Sequence, residues 1–257
     1  MQLLDLRKLT MKFGGLVAIN ELDLSLENGD LLGLIGPNGA GKTTVFNVIT
    51  GVYSPTSGFI LLENTDISGT KPYKITSKGI ARTFQNIRLF KKLTVLDNIK
   101  LSFHTHIQYG IISSVMRGRK FKDEEKDIEN KSLELLEIFE LKDYYKHEAS
   151  ALPYGLQRRL EIARAMATSP KILLLDEPAA GMNPVETQKL QSLIHFIKEK
   201  YNLSILLIEH HIKFVMDLCN RIIVLDFGVK IAEGTPFEVK NNPQVIEAYL
   251  GTKDARS

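Results

Sequence analysis

Gly36-Pro37-Asn38-Gly39-Ala40-Gly41-Lys42-Thr43 is the stretch on which the fold turns. It follows the apolar run Leu31-Leu32-Gly33-Leu34-Ile35 and leads into Thr44-Val45-Phe46-Asn47-Val48-Ile49, which reads as a helix. Strand, glycine-rich loop and helix in that order give the pattern GxxxxGK[ST] a mechanism. Glycines let backbone N–H groups turn inward on a polyphosphate without Cβ clashes, and the helix N-terminus adds positive potential. Lys42 is placed to reach the outer phosphates, and the Thr43 hydroxyl to ligate Mg²⁺.

The bulk numbers bound what surrounds this loop. A chain of 257 residues with 44% hydrophobic content can bury a core as one or two domains. Lys and Arg number 33 against 30 Asp and Glu, a net +3, which gives no pull toward a nucleic-acid partner. The single cysteine, Cys219, excludes an intramolecular disulfide and fits a reducing compartment. No apolar run approaches the roughly 18–20 residues that span a bilayer. Met1-Gln2-Leu3-Leu4-Asp5 lacks the charged and apolar regions of a secretion signal, so the expectation is a soluble, intracellular chain.

Residues 2–35 read as short strands. Leu3 to Leu6 leads toward Leu9-Thr10-Met11-Lys12-Phe13, a turn follows at Gly14-Gly15, and Leu22 to Leu26 alternates apolar with polar. Asn28-Gly29 is a hairpin signal that predicts pairing with the strand before the glycine-rich loop. Phe13 either offers an aromatic face to an adenine or packs in this antiparallel layer. Phe59 to Leu62 reads as a further strand, and Ile80 to Phe84 as a buried strand ending at Gln85-Asn86. Gln85, just past a strand, is either a contact to Mg²⁺ and the attacking water or a solvated loop residue.

Residues 87–150 are rich in Lys and Glu. Ile128, Leu135, Leu136 and Phe139 fall at helical spacing there, which predicts an amphipathic helix in an inserted helical subdomain. The basic cluster at 117–120 reads as a solvated loop, with lipid-headgroup contact as the alternative. Leu152 to Arg164 reads as a helix whose glycine-bearing start and two following arginines, Arg158 and Arg159, either receive an anion or, as is commoner, simply open a helix. Lys171-Ile172-Leu173-Leu174-Leu175-Asp176-Glu177 is a strand buried on both faces with two carboxylates at its C-terminal end, where α/β sheets bind ligands. Asp176 suits Mg²⁺, and Glu177 suits orienting or deprotonating a water. Ser204 to Ile208 repeats the pattern, with His210-His211 at its tip. Neighbouring histidines on an extended segment are expected to point apart and so make no chelating pair, while one of them contacts a γ-phosphate. Ile222 to Leu225 and Val229 to Ala232 read as a hairpin around Phe227-Gly228, and Pro243 to Leu250 as a last helix.

Together these pieces resemble the nucleotide-binding subunit of ABC transporters over essentially the whole chain. The resemblance implies an α/β P-loop NTPase core (RecA-like, mixed sheet with helices) with an antiparallel β layer over 1–86 and 171–257. The helical subdomain carrying the signature motif then spans 87–170. It makes Phe13 the aromatic that stacks on adenine, Gly36 to Thr43 with Thr44 the phosphate loop, and Gln85 the Q-loop glutamine. Asp176 ends the Walker B strand, with Thr43, Gln85 and Asp176 around Mg²⁺. Glu177 is the catalytic glutamate and His210 the switch histidine. Implied ligands are ATP and Mg²⁺. Implied partners are a second cassette, the same or different, paired head to tail, and two membrane permease subunits with an external solute-binding protein behind them. The chain would sit peripherally on the cytoplasmic face of the membrane.

The sequence departs from the family at its signature. Leu-Ser-Gly-Gly-Gln is here Leu152-Pro153-Tyr154-Gly155-Leu156, so the serine that bonds a γ-phosphate is absent, and the Tyr154 hydroxyl or the Gly155 N–H is left to replace it. Ala180-Gly181-Met182-Asn183 stands for Ser-Ala-Leu-Asp, and His211 occupies a position often held by Asp. With Arg82-Thr83-Phe84-Gln85-Asn86, Arg88-Leu89-Phe90 and Val245 to Gly251, these departures resemble the ATP-binding subunits of branched-chain amino-acid importers. Other importers, such as those of urea, amides or other amino acids, are the alternative, as is a soluble ABC ATPase of repair or translation. The chain has neither the long coiled coil nor the second cassette of the soluble types. A regulatory half-site is disfavoured by Glu177 and His210, and a plain P-loop kinase by the signature helix and the late histidine.

Overall fold

The computed structural model describes residues 2–103 and 119–254. Arg117 and Gly118 of the basic cluster fall outside that range, as do the side chains of Arg119 and Lys120. Two sheets organise the rest. The first is antiparallel, in the order β2-β1-β4-β5, from β1 (Gln2–Phe13), β2 (Leu16–Glu27), β4 (Ser57–Leu62) and β5 (Thr65–Asp66). Half of this layer therefore comes from beyond the glycine-rich loop. The second runs β10-β9-β3-β8-β7-β6, built from β3 (Leu31–Ile35), β6 (Ile80–Arg82), β7 (Ile172–Asp176), β8 (Ser204–Ile208), β9 (Arg221–Asp226) and β10 (Val229–Gly234). All of its pairs are parallel except β9 with β10.

The hairpin expected at Asn28-Gly29 does not form. β2 and β3 lie in different sheets, and the turn, closed by Asp30 N–H donating to Glu27 O at 3.2 Å, hands the chain from one to the other. The reason lies in β3 itself. Every residue of it is buried, so it needs a cover on both faces, and only the centre of the parallel sheet supplies that.

The strands β3, β7 and β8 divide their side chains between two cores with a period of two. Leu31, Leu173, Leu175, Ile205 and Leu207 face one cluster, while Leu32, Leu34, Ile172, Leu174, Leu206 and Ile208 face the other. On the second side lie the antiparallel layer and α1 (Lys42–Ile49), with Val45, Phe46, Val48 and Ile49 buried. α2 (Pro72–Ser77) adds Ile75. On the first side pack α3 (Val95–Phe103), α4 (Arg119–Ile138), α5 (Tyr154–Met166), α6 (Pro184–Tyr201) and α7 (Ile212–Leu218). Ile128, Leu135, Leu136 and Phe139 are buried, as their spacing requires. Leu135, Leu136 and Phe139 share one continuous cluster with β7 and β8, so the inserted helices are rooted in the sheet's own core. α8 (Pro236–Lys240) and α9 (Pro243–Asp254) end the described chain.

β6 ends at Arg82, short of the predicted Phe84, although Thr83 N–H still donates to Leu174 O at 2.9 Å. Beyond it the backbone turns to α5. Phe84 and Arg88 N–H groups donate to Glu161 Oε1 at 3.3 and 3.0 Å, and the Phe84 and Gln85 carbonyls accept from Arg158 at 2.6 and 2.7 Å.

Candidate active site

Four adjacent strands, β3, β8, β7 and β6, end at the same edge of the sheet, and each delivers one piece of the site. β3 delivers the glycine-rich loop. Gly36 has φ +150, and a Cβ there would lie 2.0 Å from the Leu225 carbonyl oxygen, so no other residue fits without moving β9. Gly41 has φ +103 and would meet the Ala18 oxygen at 2.6 Å. The loop is thus clamped between β9 and β2 and opens onto α1. Lys42 is nearly buried, and its Nζ donates to the Gly36 and Pro37 carbonyls at 2.7 and 2.9 Å. Burial pulls its pKa below the usual lysine value, and the neighbouring Glu177 and Asp176 carboxylates pull it back up.

In front of the loop is a cleft of about 460 Å³ lined by Asn38 to Thr44, Phe13, Leu16, Val17, Ala18, Gln85, Glu177 and Phe227. This size and lining suit a nucleotide, with apolar walls for a base and backbone donors for phosphates. Phe13, at the end of β1, is half-exposed on that cleft with its ring edge-on to Tyr53 at 5.2 Å. Of the two uses open to it, packing and stacking, it therefore keeps a face for each.

β6, β7 and β8 deliver the polar groups. Gln85 Nε2 donates to Glu177 Oε2 at 2.8 Å, and His210 Nδ1 lies 3.4 Å from the same oxygen. Residues 85, 177 and 210 thus meet on one carboxylate at the mouth of the cleft. Glu177 holds φ +46, a left-handed conformation costly for a residue with a Cβ, and its N–H donates to Ile208 O at 2.9 Å. Asp176 is buried one residue behind. Burial raises its pKa, against the ion pair it makes with Arg82 at 2.8 Å. Arg82 also donates to Asn47 Oδ1 at 2.7 Å and lies over the Phe46 and Phe84 rings. Thr43 is exposed on the cleft and Asp176 keeps Oδ1 outside the Arg82 pair, and a hydroxyl and a carboxylate oxygen are donor types that a hard divalent cation takes.

Other expectations need correction. Arg158 and Arg159 do not await an anion: Arg158 is fully buried on Phe84, Gln85, Glu161 and Tyr154, and Arg159 pairs with Glu140. His210 and His211 do not point apart. Their ring centroids are 4.4 Å apart, and both sit beside Glu209, because the chain bends into α7 directly after β8. Tyr154 and Gly155, expected to meet a nucleotide on a partner cassette, open α5 and do not line this cleft. The Tyr154 hydroxyl accepts from Arg158 at 3.1 Å. Its ring covers Gly181, φ +75, where a Cβ would come within 3.3 Å of it, so the two departures from the usual motifs touch each other. Asn183 and Glu186 form a capping box at the start of α6.

Sequence reasoning gave no role to Arg82, Glu161, Glu209 or Phe227. A glutamate directly after an apolar strand, repeating the Asp176-Glu177 pattern, was the available sign for Glu209. Nothing local marks Phe227, which is 82% exposed at the β9–β10 turn with φ +43.

Comparison with known proteins identifies the family and the fold. The ABC transporter family matches residues 19–180, and the branched-chain amino acid ATP-binding cassette transporter family matches residues 229–255. The high-affinity branched-chain amino acid transport ATP-binding protein BraF of Pseudomonas aeruginosa is 45% identical over 97% of this chain and 98% of its own. The ADP conformation of MJ1267, an ATP-binding cassette of an ABC transporter, superposes with a TM-score of 0.85 at 32% identity, covering 98% of this chain and 99% of that one. The dimeric structure of the bacterial ABC transporter cassette MJ0796 superposes at 0.76 with 25% identity, covering 91% and 98%.

Proposed function

Because this chain belongs to the ABC transporter family, we propose that it is the ATP-hydrolysing subunit of an importer of branched-chain amino acids. The observation that carries the hydrolytic reading is the meeting of Gln85 and His210 on the one Glu177 carboxylate oxygen, in front of the glycine-rich loop. Glu177 orients the attacking water and takes its proton, with Gln85 and His210 fixing the direction in which the carboxylate presents itself. Lys42 and the N–H groups at the start of α1 hold the β- and γ-phosphates and offset the charge that develops on them. Mg²⁺, held by Thr43 and Asp176 with Gln85 nearby, would supply Lewis-acid neutralisation of the phosphate oxygens. Phe13 stacks on the adenine.

The partners follow from where the signature lies. Tyr154 and Gly155 do not line their own cleft, which supports the reading that they cap a nucleotide on another cassette in a head-to-tail pair. A dimeric cassette of known structure supports pairing of two cassettes. None of the described helices is long and apolar enough to cross a membrane. In the proposed importer the crossing belongs to permease subunits, with this chain on their cytoplasmic side. Their contact is the surface around Phe90, which is half-exposed under Arg164. Beside it Arg88, Ser102, Glu161 and Arg164 line a cleft of about 250 Å³. Branched-chain amino acids as cargo rest on the BraF similarity and on the family match at 229–255.

The test is ATP-driven uptake into proteoliposomes carrying the permease subunits, this chain and a solute-binding protein. Labelled leucine should enter, with isoleucine and valine competing and urea not. Uptake of urea in preference to leucine would reject the cargo. A Phe90→Ala variant should bind nucleotide normally and lose transport-coupled hydrolysis, and unchanged coupling would reject the contact surface.

A further inference from the structure

A second carboxylate stands at the tip of β8, outside the chemistry described above. Glu209 follows Ile208 directly and is fully buried. Its ion-pair neighbours among the described residues are His210 and His211 alone, so no Lys or Arg of that set neutralises it. Burying such a group is costly unless hydrogen-bond donors satisfy it. Three backbone donors do. Oε1 accepts the Ala179 N–H at 2.9 Å, and Oε2 accepts the His210 N–H at 3.1 Å and, more weakly, the His211 N–H at 3.4 Å. With its oxygens taken up by these amides, Glu209 is a poor metal ligand despite the histidines beside it.

The two oxygens belong to different loops. Oε1 holds the turn after β7, two residues beyond Glu177, while Oε2 holds the turn after β8 that carries His210. Those turns carry the two groups that stand 3.4 Å apart, His210 Nδ1 and Glu177 Oε2. Glu177 gets there only by keeping a left-handed backbone, which its surroundings must enforce. We propose that Glu209 is a positioning residue that clamps the Glu177 and His210 loops together through a single carboxylate. The proposal rests on the hydrolytic reading of Glu177 and His210 given above. A carboxylate suits this role because both its oxygens accept. An amide of the same shape must turn its NH₂ toward one set of N–H donors and push that loop away.

The experiment compares Glu209→Gln, His210→Ala and the double variant in the reconstituted transporter, reading kcat and KM for ATP. Amide exchange at residues 179 and 210 is followed on the full chain. Glu209→Gln should lower kcat about tenfold or more, the scale of a lost charge-assisted hydrogen bond, with KM unchanged. Exchange at Ala179 and His210 should quicken together. In the His210→Ala background the same change should cost little more, because the residue through which Glu209 acts is already gone. Should Glu209→Gln not fold, Glu209→Asp, one methylene too short to reach both loops, carries the same comparison. A Glu209 variant with wild-type kcat, or one whose loss is undiminished in the His210→Ala background, overturns the proposal and leaves the reading of His210 standing. A His210→Ala transporter that turns over normally overturns that reading, and the proposal with it.

Discussion

Replacing Arg158 by Met removes the side chain that fastens α5 to the Gln85 loop. The guanidinium is fully buried and donates to Phe84 O at 2.6 Å, Gln85 O at 2.7 Å, Glu161 Oε2 at 2.7 Å and the Tyr154 hydroxyl at 3.1 Å. Methionine fills much of the volume but leaves two carbonyls and the Oε2 oxygen of the buried Glu161 carboxylate without the Arg158 donor. Breaking a buried ion pair from one side costs about 3–5 kcal/mol. At about 2–4 °C per kcal/mol for a chain of this size, Tm should fall by roughly 6–20 °C. The pH dependence is the sharper part. Burial is the main influence on Glu161 and raises its pKa, while Arg158 opposes the rise. A carboxylate whose folded pKa lies above its unfolded value stabilises the fold when protonated, and that contribution fades as pH rises through the folded pKa. Removing Arg158 raises the folded pKa further. The deficit of Arg158→Met relative to wild type should therefore be largest at neutral pH and shrink at mildly acidic pH, where the carboxyl is protonated with or without Arg158. Glu161→Gln in the same background should recover part of it at the higher pH. Chemical unfolding at both pH values is the assay. A deficit under about 1 kcal/mol, or one independent of pH, would refute the assignment of this buried pair as the fastening.

Three further outcomes are expected from other parts of the molecule. Gly181→Ala should cost about 1–2 kcal/mol in urea unfolding from its positive φ, with additional loss from the Tyr154 ring; Tyr154→Ala should relieve only the second part, and a fully neutral Gly181→Ala would contradict the packing. Phe13→Ala should weaken nucleotide binding by roughly 1–3 kcal/mol in a fluorescent-nucleotide titration, equally for ATP and GTP, since a stacking face does not distinguish purines. Burial beside Glu209 pushes the Cys219 thiol well above its ordinary value, so native protein should resist alkylation near about pH 8 and react only once unfolded; rapid native labelling would show that the α7 contact with β3 opens.

Much of this was legible in the sequence because the informative residues are local. The strands β7 and β8 are buried on both faces, and a run of four or five apolar residues says so without context. The glycine-rich loop, Asp176-Glu177 and His210 stand at strand tips, where the sheet's polarity gives them a place. The family resemblance chose between the two readings of Phe13 and of Gln85 and singled out His210 from His211. What escaped were pairings set by tertiary structure. Asn28-Gly29 has the composition of a hairpin, and only the double-sided burial of β3 sends the chain to another sheet. Arg158 reads as an arginine able to receive an anion at a helix start, and becomes a buried cross-brace because the Gln85 loop brings its carbonyls there. The closeness of Tyr154 to Gly181 joins the start of α5 to the loop after β7, and no period or motif announces it.

Glu177 carries the most weight in the site. Single-turnover hydrolysis of ATP by Glu177→Gln, against wild type in the same reconstituted transporter and beside an ATP titration, measures that dependence directly. The rate should fall by at least about a hundredfold, the range of general-base catalysis, with ATP affinity unchanged. A variant that hydrolyses ATP at the wild-type rate would contradict the assignment of the base and, with it, the site built around that carboxylate.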